Sequence, residues 1–251
     1  MNTMNQLSSS ARSAHLGASL HSQVVDTVGQ KIVAGDLAPD TVINAQQLCS
    51  QLGVSRSVVR EALRTLASLG LVQARQQVGT RVLGHNSWDL LHPLVVRWRA
   101  LGPDPVRQLH ELLQLRLGLD HVAAALAAQH ADDHERTALT DAAATMRRAF
   151  QSDDPVAFYT ADATFHRMLL TATANPLIQQ LAGTIAAALS LRGSDQRRGM
   201  HEITDQAVTL HEHLAAAIAV GAADDAAQAA QRLIELSQKE ITAATTASEK
   251  T

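Results

Sequence analysis

The apolar residues in the first third of the chain follow helical spacing and then change to strand spacing. From Leu20 to Val33 they recur every four positions, which is typical of an amphipathic helix. Gly53 separates a second predicted helix from a third, and Gly70 ends the third. Two short strand-like segments, 71–74 and 80–83, come next and indicate a hairpin. The pattern therefore predicts three helices followed by a β-hairpin.

The rest of the chain returns to helical spacing, interrupted by short polar and proline-containing breaks. Of the 44 alanines, 34 follow residue 100, and alanine is the best helix former. We predict one domain over residues 18–84 and an all-helical domain of six or seven helices over residues 106–244. Residues 85–105 contain three prolines and are expected to form a linker. Residues 1–17 and 245–251 are expected to be disordered tails.

Composition and charge exclude several classes of protein. The single Cys49 excludes a disulfide framework within the chain and cysteine-based zinc fingers. No apolar run reaches the ~18 residues of a membrane span, and the N-terminus has no apolar signal segment. We therefore expect a cytoplasmic protein with no membrane partner. The net charge of −3 hides an asymmetry, because residues 1–84 carry seven basic and four acidic side chains. A basic first third is typical of a nucleic-acid-binding domain.

The second and third predicted helices, separated by a tight turn, have the spacing of a helix-turn-helix. One face of the third helix is apolar and another carries arginine and serine, which bind guanine edges and phosphates in the major groove. The hairpin would act as a wing, where a glycine lets the backbone approach the DNA. A solvated arginine face is the alternative for an isolated helix of this kind. The candidate DNA-binding residues are Arg56, Ser57, Arg60, Arg64, Arg75, Gln77 and Gly79.

These residues resemble the winged helix of GntR-type bacterial transcriptional regulators. The resemblance is carried by the run from Gly53 to Arg64, by Gly70 to Val72, and by Val78 to Val82. It implies that the protein binds double-stranded operator DNA. Two-fold pairing would double the contacts of a small winged helix, so we expect a homodimer. In one departure from the family pattern, Gln46 stands where the family usually has an operator-contacting arginine.

A candidate metal site lies in the predicted helical domain. Asp162 and His166 are four residues apart and share one helix face, whose neighbours are apolar. His211 lies on a second apolar helix. One carboxylate and two imidazoles suit zinc, nickel or manganese. The alternative is that Asp162 and His166 simply form a hydrogen bond to each other within the core.

Arg116 occupies an otherwise apolar helix face, where a guanidinium needs a carboxylate partner. The functional interpretation is that Arg116 holds the carboxylate of a small organic acid by a bidentate contact. The structural alternative is a salt bridge to Asp120, which the spacing of four residues permits. The sequence pattern leaves both alternatives open.

Residues 106–240 resemble the FCD ligand-binding domain of the FadR subfamily. The matching positions are Arg116 with Asp120, the run 162–166, Asn175 with the two residues after it, and His211. The resemblance implies an effector-binding and dimerisation domain. It also implies a fourth metal ligand, a histidine near residue 233, where the chain has none. Glu235, water or the effector would then complete the site.

The predicted fold class is therefore mainly α, with an N-terminal winged helix-turn-helix followed by an all-α antiparallel bundle of six to seven helices. The predicted function is a DNA-binding transcriptional regulator, a repressor released by a sugar acid or similar carboxylate. A metal-dependent helical-bundle enzyme and a regulator with a degenerate effector site are the alternatives. Since the sequence contains no nucleophile motif and no glycine-rich phosphate loop, we predict that the protein is not an enzyme.

Overall fold

The computed structural model describes residues 19–193 and 203–248, and the chain divides between Leu90 and Leu91 into two compact units. The first, called the winged unit, contains α1 (Leu20–Ala34), β1 (Val42–Ile43), α2 (Ala45–Leu52), α3 (Arg56–Ser68), β2 (Val72–Arg75) and β3 (Gly79–Val82). The second, called the helical unit, contains α4 (Pro93–Ala100), α5 (Pro105–His130), α6 (Asp133–Gln151), α7 (Pro155–Thr171), α8 (Pro176–Ser190), α9 (Asp205–Ala219) and α10 (Ala223–Ser248). The prediction of a mainly α protein with a winged helix-turn-helix is confirmed.

Local residues determine where the helices of the winged unit begin and end. Asn44 begins α2, since its side-chain oxygen accepts hydrogen bonds from two backbone N–H groups at 3.0 and 3.1 Å. Gly53 ends α2 with a φ of +65°, in the left-handed region that favours glycine. Ser55 then begins α3, whose apolar side is buried against α1. The turn at Gly53 thereby leaves the opposite side of α3 exposed.

The hairpin of β2 and β3 forms as predicted and gains a third strand. The three strands are antiparallel in the order β1-β3-β2, with Val42 opposite Arg81 and Val72 opposite Val82. The two-residue strand β1 was not predicted. A strand of two residues is too short to show an alternation of buried and exposed positions. Only its pairing with β3 identifies it.

The segment expected to be a linker, residues 85–105, is largely structured. A 3-10 turn at His85–Ser87 leads to Trp88, whose indole N–H donates to the carbonyl of Leu83 within the winged unit. Helix α4 then belongs to the helical unit, where Pro93 starts it and Trp98 is buried. Proline fits the first turn of a helix, and Pro93 and Pro105 each begin a helix here.

Among the described residues, the six helices α5 to α10 agree with the prediction of six or seven helices over residues 106–244. Their breaks fall at the predicted polar residues: Asp132, Asp154 and Asn175 each accept a hydrogen bond from the first turn of the next helix. The core packs alanines of one helix against larger residues such as Phe165 and Leu214 on others. Small alanine side chains allow these helices to approach closely.

Helix α10 continues through residues 245–248, which were expected to belong to a disordered tail. Two more alanines at 244 and 247 support this continuation, because alanine has the highest helix propensity. The other tail expectations, for residues 1–17 and 249–251, lie outside the described residues. None of the described helices combines the length and apolar character needed to cross a bilayer.

Candidate functional site

The winged unit exposes the predicted DNA-binding residues of α3 on one face. Arg56, Ser57, Arg60 and Arg64 are all exposed, while the apolar residues on the other side of the helix are buried. Arg64 donates to Glu61 at 2.6 Å, so its charge is partly matched by its own helix. Arg56 and Arg60 form no ion pair with any described residue. Unlike Arg64, these two arginines expose a guanidinium with no ion-pair partner among the described residues.

The hairpin carries the remaining predicted DNA-binding residues at its exposed turn. Arg75, Gln77 and Gly79 are exposed, and the Nε atom of Arg75 donates to Gln73 at 3.3 Å. Gln77 and Gly79 have φ values of +61° and +108°. This tight turn brings backbone and polar side chains to the tip together, as a wing that contacts DNA requires.

The helical unit contains a partly open cavity. Its polar lining includes all four residues that the sequence singled out in this domain, contributed by α5, α7 and α9. These residues are Arg116, Asp162, His166 and His211, and all are buried. The structure therefore brings these four residues together in one cluster.

Arg116 forms the salt bridge to Asp120 that the sequence analysis gave as the structural alternative. Its Nε and Nη2 atoms lie 2.9 and 2.8 Å from Asp120 Oδ2, in a buried salt bridge along α5. Its Nη2 atom also lies 2.9 Å from Nε2 of His166. The Nη1 group of Arg116 makes no hydrogen bond among the described residues. A carboxylate partner within the chain thus neutralises Arg116, and one terminal nitrogen stays available.

One carboxylate oxygen of Asp162 lies near both histidine rings. Its Oδ1 atom lies 3.5 Å from His166 Nε2 and 3.1 Å from His211 Nε2. The other oxygen, Oδ2, is buried without a hydrogen-bond partner. His211 is held from its far side, where Nδ1 lies 2.8 Å from the carbonyl oxygen of Ala207. This contact orients the His211 ring so that Nε2 faces the carboxylate.

Burial and neighbouring charges perturb the pKa values of the cluster. Burial raises the pKa of Asp120 above its ordinary value, and the positive charge of Arg116 offsets this only partly. Burial and the charge of Arg116 lower the pKa of His166 well below its ordinary value, so this imidazole is neutral at neutral pH. Burial alone would raise the pKa of Asp162, but the hydrogen bond from His211 and the positive charges near the carboxylate together outweigh it and hold that pKa below its usual range. The cluster thus combines a carboxylate with a neutral imidazole.

The donor set fits a divalent cation. One ligand atom from each of Asp162, His166 and His211 lies within 4.8 Å of the others. Two buried atoms of this set, Oδ2 of Asp162 and Nε2 of His211, have no hydrogen-bond partner among the described residues. A cation could satisfy both. The suggestion that Glu235 completes the set is not supported, since Glu235 accepts from Gln231 on another face of α10. Leu233 and Ser237, not Glu235, line the cavity.

Arg192 and Tyr159 are among the cavity residues that were not identified from the sequence. Arg192 lies in the 3-10 turn after α8, and its guanidinium carbon is 5.6 Å from the centre of the Tyr159 ring. Both side chains are buried and line the cavity. The sequence predicted only a break between helices beginning at residue 192. A buried arginine in a loop could have been found only through the position of Tyr159 on α7.

Two family models match the chain. Residues 20–82 match "Bacterial regulatory proteins, gntR family", and residues 111–236 match "FCD domain". These two matches cover the winged unit and the cavity-bearing helices. The FCD match alone spans half of the chain.

Curated relatives agree with these matches. The "Galactonate operon transcriptional repressor" of Escherichia coli (strain K12) is 28% identical over 222 residues, covering 87% of this chain and 95% of that protein. The "Probable D-xylose utilization operon transcriptional repressor" of Paenarthrobacter nicotinovorans is 31% identical over 154 residues, covering 61% of this chain and 59% of that protein. Both relatives and both families are transcription regulators and not enzymes, as the sequence predicted.

A solved structure shares the fold. The Listeria monocytogenes protein Lar is 19% identical, with a TM-score of 0.58 over 90% of this chain and 97% of that chain. The fold and both family matches lead to one conclusion. The chain belongs to the GntR family of bacterial transcription regulators, in the FadR-like group that carries an FCD domain, and is a DNA-binding transcriptional regulator.

Proposed function

We propose that this regulator is a repressor that leaves its operator when a small organic acid binds in the helical unit. The observation that carries the proposal is the cavity in which Arg116 lies beside the group formed by Asp162, His166 and His211. A guanidinium and a carboxylate–imidazole cluster together suit a ligand with a carboxylate and hydroxyl groups. The relative named for the galactonate operon supports a sugar acid.

The Nη1 group of Arg116 is the first contact that we propose for the acid. The salt bridge to Asp120 holds the guanidinium in place through Nε and Nη2, so ordering it costs the ligand little entropy. Nη1 keeps its N–H donors for a carboxylate oxygen. Arg116 therefore acts as the effector-binding residue while Asp120 positions it.

We further propose that Asp162, His166 and His211 hold a divalent cation, with zinc, nickel or manganese as candidates. These residues would supply one carboxylate oxygen and two imidazole nitrogens. A bound cation would act as a Lewis acid toward a carboxylate or hydroxyl oxygen of the effector. The Ala207 carbonyl would keep the His211 ring in the orientation required for binding.

Operator binding is assigned to α3 and the hairpin. Arg56 and Arg60 have no ion-pair partner among the described residues and contribute donors for phosphates and guanine. One winged unit offers a small contact area, so a homodimer on a pseudo-palindromic operator would double it. The effector would release the operator if it binds the DNA-free state more tightly than the DNA-bound state.

Fluorescence anisotropy of the full-length protein on labelled DNA from its own upstream intergenic region tests this function. D-galactonate, D-gluconate and L-lactate are titrated into the complex, with galactitol as the uncharged control. We expect one of the acids to release the DNA and galactitol to have no effect. The variant Asp162→Asn should bind the DNA like wild type but lose the response. A specific complex that none of the acids weakens would contradict an acid-released repressor.

A further inference from the structure

The small β-sheet of the winged unit has a face turned away from the core that carries two arginines. Side chains alternate between the two faces along each strand. Val72 and Val82 are paired across β2 and β3, and both are buried. The next pair, Gln73 and Arg81, therefore lies on the opposite face, and Arg75 follows two residues further along on that face. We call this surface the outer face of the sheet; its residues are Val42, Gln73, Arg75 and Arg81.

Arg81 of the outer face is paired with a carboxylate from the turn before β1. Its Nη1 atom donates to Oδ1 of Asp40 at 3.0 Å. The Asp40 side chain is 79% exposed and the Arg81 side chain 32% exposed, so water reaches this ion pair. Exposed ion pairs contribute little to stability. The guanidinium can therefore exchange the carboxylate for another anion at little cost.

The distance of Arg81 from the tip of the hairpin suits a contact with DNA phosphates. Arg81 is two residues from Gly79, which is about 7 Å along a strand. Paired strands lie about 4.8 Å apart and the minor groove is about 6 Å wide, so only the tip of a hairpin can enter that groove. The strands behind the tip stay at the edge of the groove, where the phosphates lie. A guanidinium at that height forms strong, charge-assisted hydrogen bonds with phosphate.

We propose that Arg81 binds a DNA phosphate beside the minor groove and that Asp40 competes with this phosphate for the guanidinium. The inference rests on the assignment of the hairpin to operator binding and adds a residue that lies outside its turn. A phosphate contact carries no sequence information, so Arg81 adds affinity for any duplex. Asp40 lowers this general affinity and leaves the base contacts of α3 unchanged. The pair thereby limits binding to unrelated DNA.

Fluorescence anisotropy of the full-length protein tests the proposal, with one duplex from its own upstream intergenic region and one unrelated duplex of equal length. The Kd for each duplex is measured over a series of salt concentrations. Arg81→Gln removes the cation, Arg81→Lys keeps it, and Asp40→Asn removes the competing charge. Asparagine suits position 40, where φ is +70°, because it adopts left-handed conformations more readily than most residues.

Arg107→Gln is the matched control. Arg107 is an exposed arginine of the helical unit that also donates to a carboxylate, that of Glu111, at 3.1 Å. Circular dichroism establishes that each variant is folded. If Arg81→Gln does not fold, Asp40→Asn decides, and unchanged binding of that variant to both duplexes would overturn the proposal.

The expected results follow from the release of counterions. Each phosphate contact contributes about 0.9 to the slope of log Kd against log salt concentration. Arg81→Gln should reduce the slope by about this amount and weaken binding to both duplexes by the same factor. Arg81→Lys and Arg107→Gln should keep the wild-type slope. Asp40→Asn should strengthen binding to both duplexes about twofold, since one negative charge near the phosphates is removed.

Three results would overturn the inference. A wild-type slope in Arg81→Gln would exclude the phosphate contact, and a loss confined to the upstream duplex would indicate a base contact instead. Weaker binding by Asp40→Asn would exclude competition by Asp40. If Arg75→Gln weakens binding and Arg81→Gln does not, the hairpin still contacts DNA and only this inference fails. If neither variant changes binding, the assignment of the hairpin fails as well.

Discussion

His211 presents its Nε2 atom to Asp162 Oδ1 at 3.1 Å while its Nδ1 atom faces the Ala207 carbonyl oxygen at 2.8 Å. Both ring nitrogens therefore face oxygen acceptors, whereas a neutral imidazole has a single N–H. A single N–H cannot serve both the Ala207 carbonyl oxygen and Oδ1 of Asp162, which faces Nε2 of His211. A divalent cation between these two atoms would resolve the conflict, since both are common ligands of zinc.

Zinc should therefore stabilise the wild-type protein against heating. A ligand present at 100 times its Kd adds about 2.7 kcal/mol to the free energy of unfolding. Asp162→Asn and His211→Gln should lose the zinc-dependent rise in Tm. His213→Gln should keep it, because His213 is exposed two residues further along α9. Differential scanning fluorimetry with zinc or EDTA measures this rise, and an equal rise in Asp162→Asn would refute the site.

Operator binding should depend on Arg60 more than on Arg64. Arg60 has no ion-pair partner among the described residues, whereas Arg64 is paired with Glu61 at 2.6 Å. Arg60→Gln should weaken operator binding by about 1–3 kcal/mol, and Arg64→Gln by less. Arg148→Gln, an exposed arginine of the helical unit, is the control. Anisotropy titrations at two salt concentrations measure these losses, and a larger loss for Arg64→Gln would contradict the assignment.

Gly70 should tolerate substitution less well than Gly53. Both residues have left-handed φ values, +75° and +65°, so an added Cβ costs about 1–2 kcal/mol at either position. At Gly70 the Cβ would also lie 1.9 Å from the carbonyl oxygen of Ser87, while at Gly53 it meets nothing within 4 Å. Urea unfolding should show Gly70→Ala to be clearly less stable than Gly53→Ala. Equal losses would mean that Ser87 does not pack firmly against Gly70.

Arg147 should stabilise the helical unit in a pH-dependent way. Its Nε and Nη2 atoms donate to Glu212 at 2.9 and 2.6 Å, and it also pairs with Asp205. The hydrogen bond from Arg147 is the main cause that holds the pKa of Glu212 below its ordinary value of 4.5. Because the folded-state pKa is the lower one, the stabilisation is complete at neutral pH and is lost as the pH falls through it.

The measurement is the Tm difference between wild type and Arg147→Met from pH 7 to pH 4. This difference should be largest at pH 7 and shrink toward pH 4. Arg148→Met, on the exposed side of α6, should show little difference at any pH. A Tm difference for Arg147→Met that stays constant with pH would exclude the charge pair as its cause.

Local signals explain why much of the fold could be predicted. Asn175 followed by Pro176 starts α8, because the side chain caps the helix and proline fits its first turn. The exposed face of α3 likewise follows from spacing alone. The strand β1 could not be predicted, since only its pairing with β3 defines it. The segment expected to be a linker contains a 3-10 turn and helix α4, because Pro93 begins a helix there.

The sequence indicated site residues most directly where they share a helix. Asp162 and His166 lie one turn apart, and so do Arg116 and Asp120, so spacing indicated both pairs. Spacing could not decide whether Arg116 uses Asp120 or a ligand. Arg192 was missed because its role depends on Tyr159, a residue of another helix.

The central claim is that the acid bound in the helical unit and the operator bound by the winged unit oppose each other. The most direct test is the Kd of the releasing acid, measured by calorimetry on the free protein and on the protein saturated with operator DNA. Binding linkage is reciprocal, so the account predicts that operator DNA weakens acid binding by the same factor by which the acid weakens operator binding. An acid Kd that is the same with and without operator would contradict it.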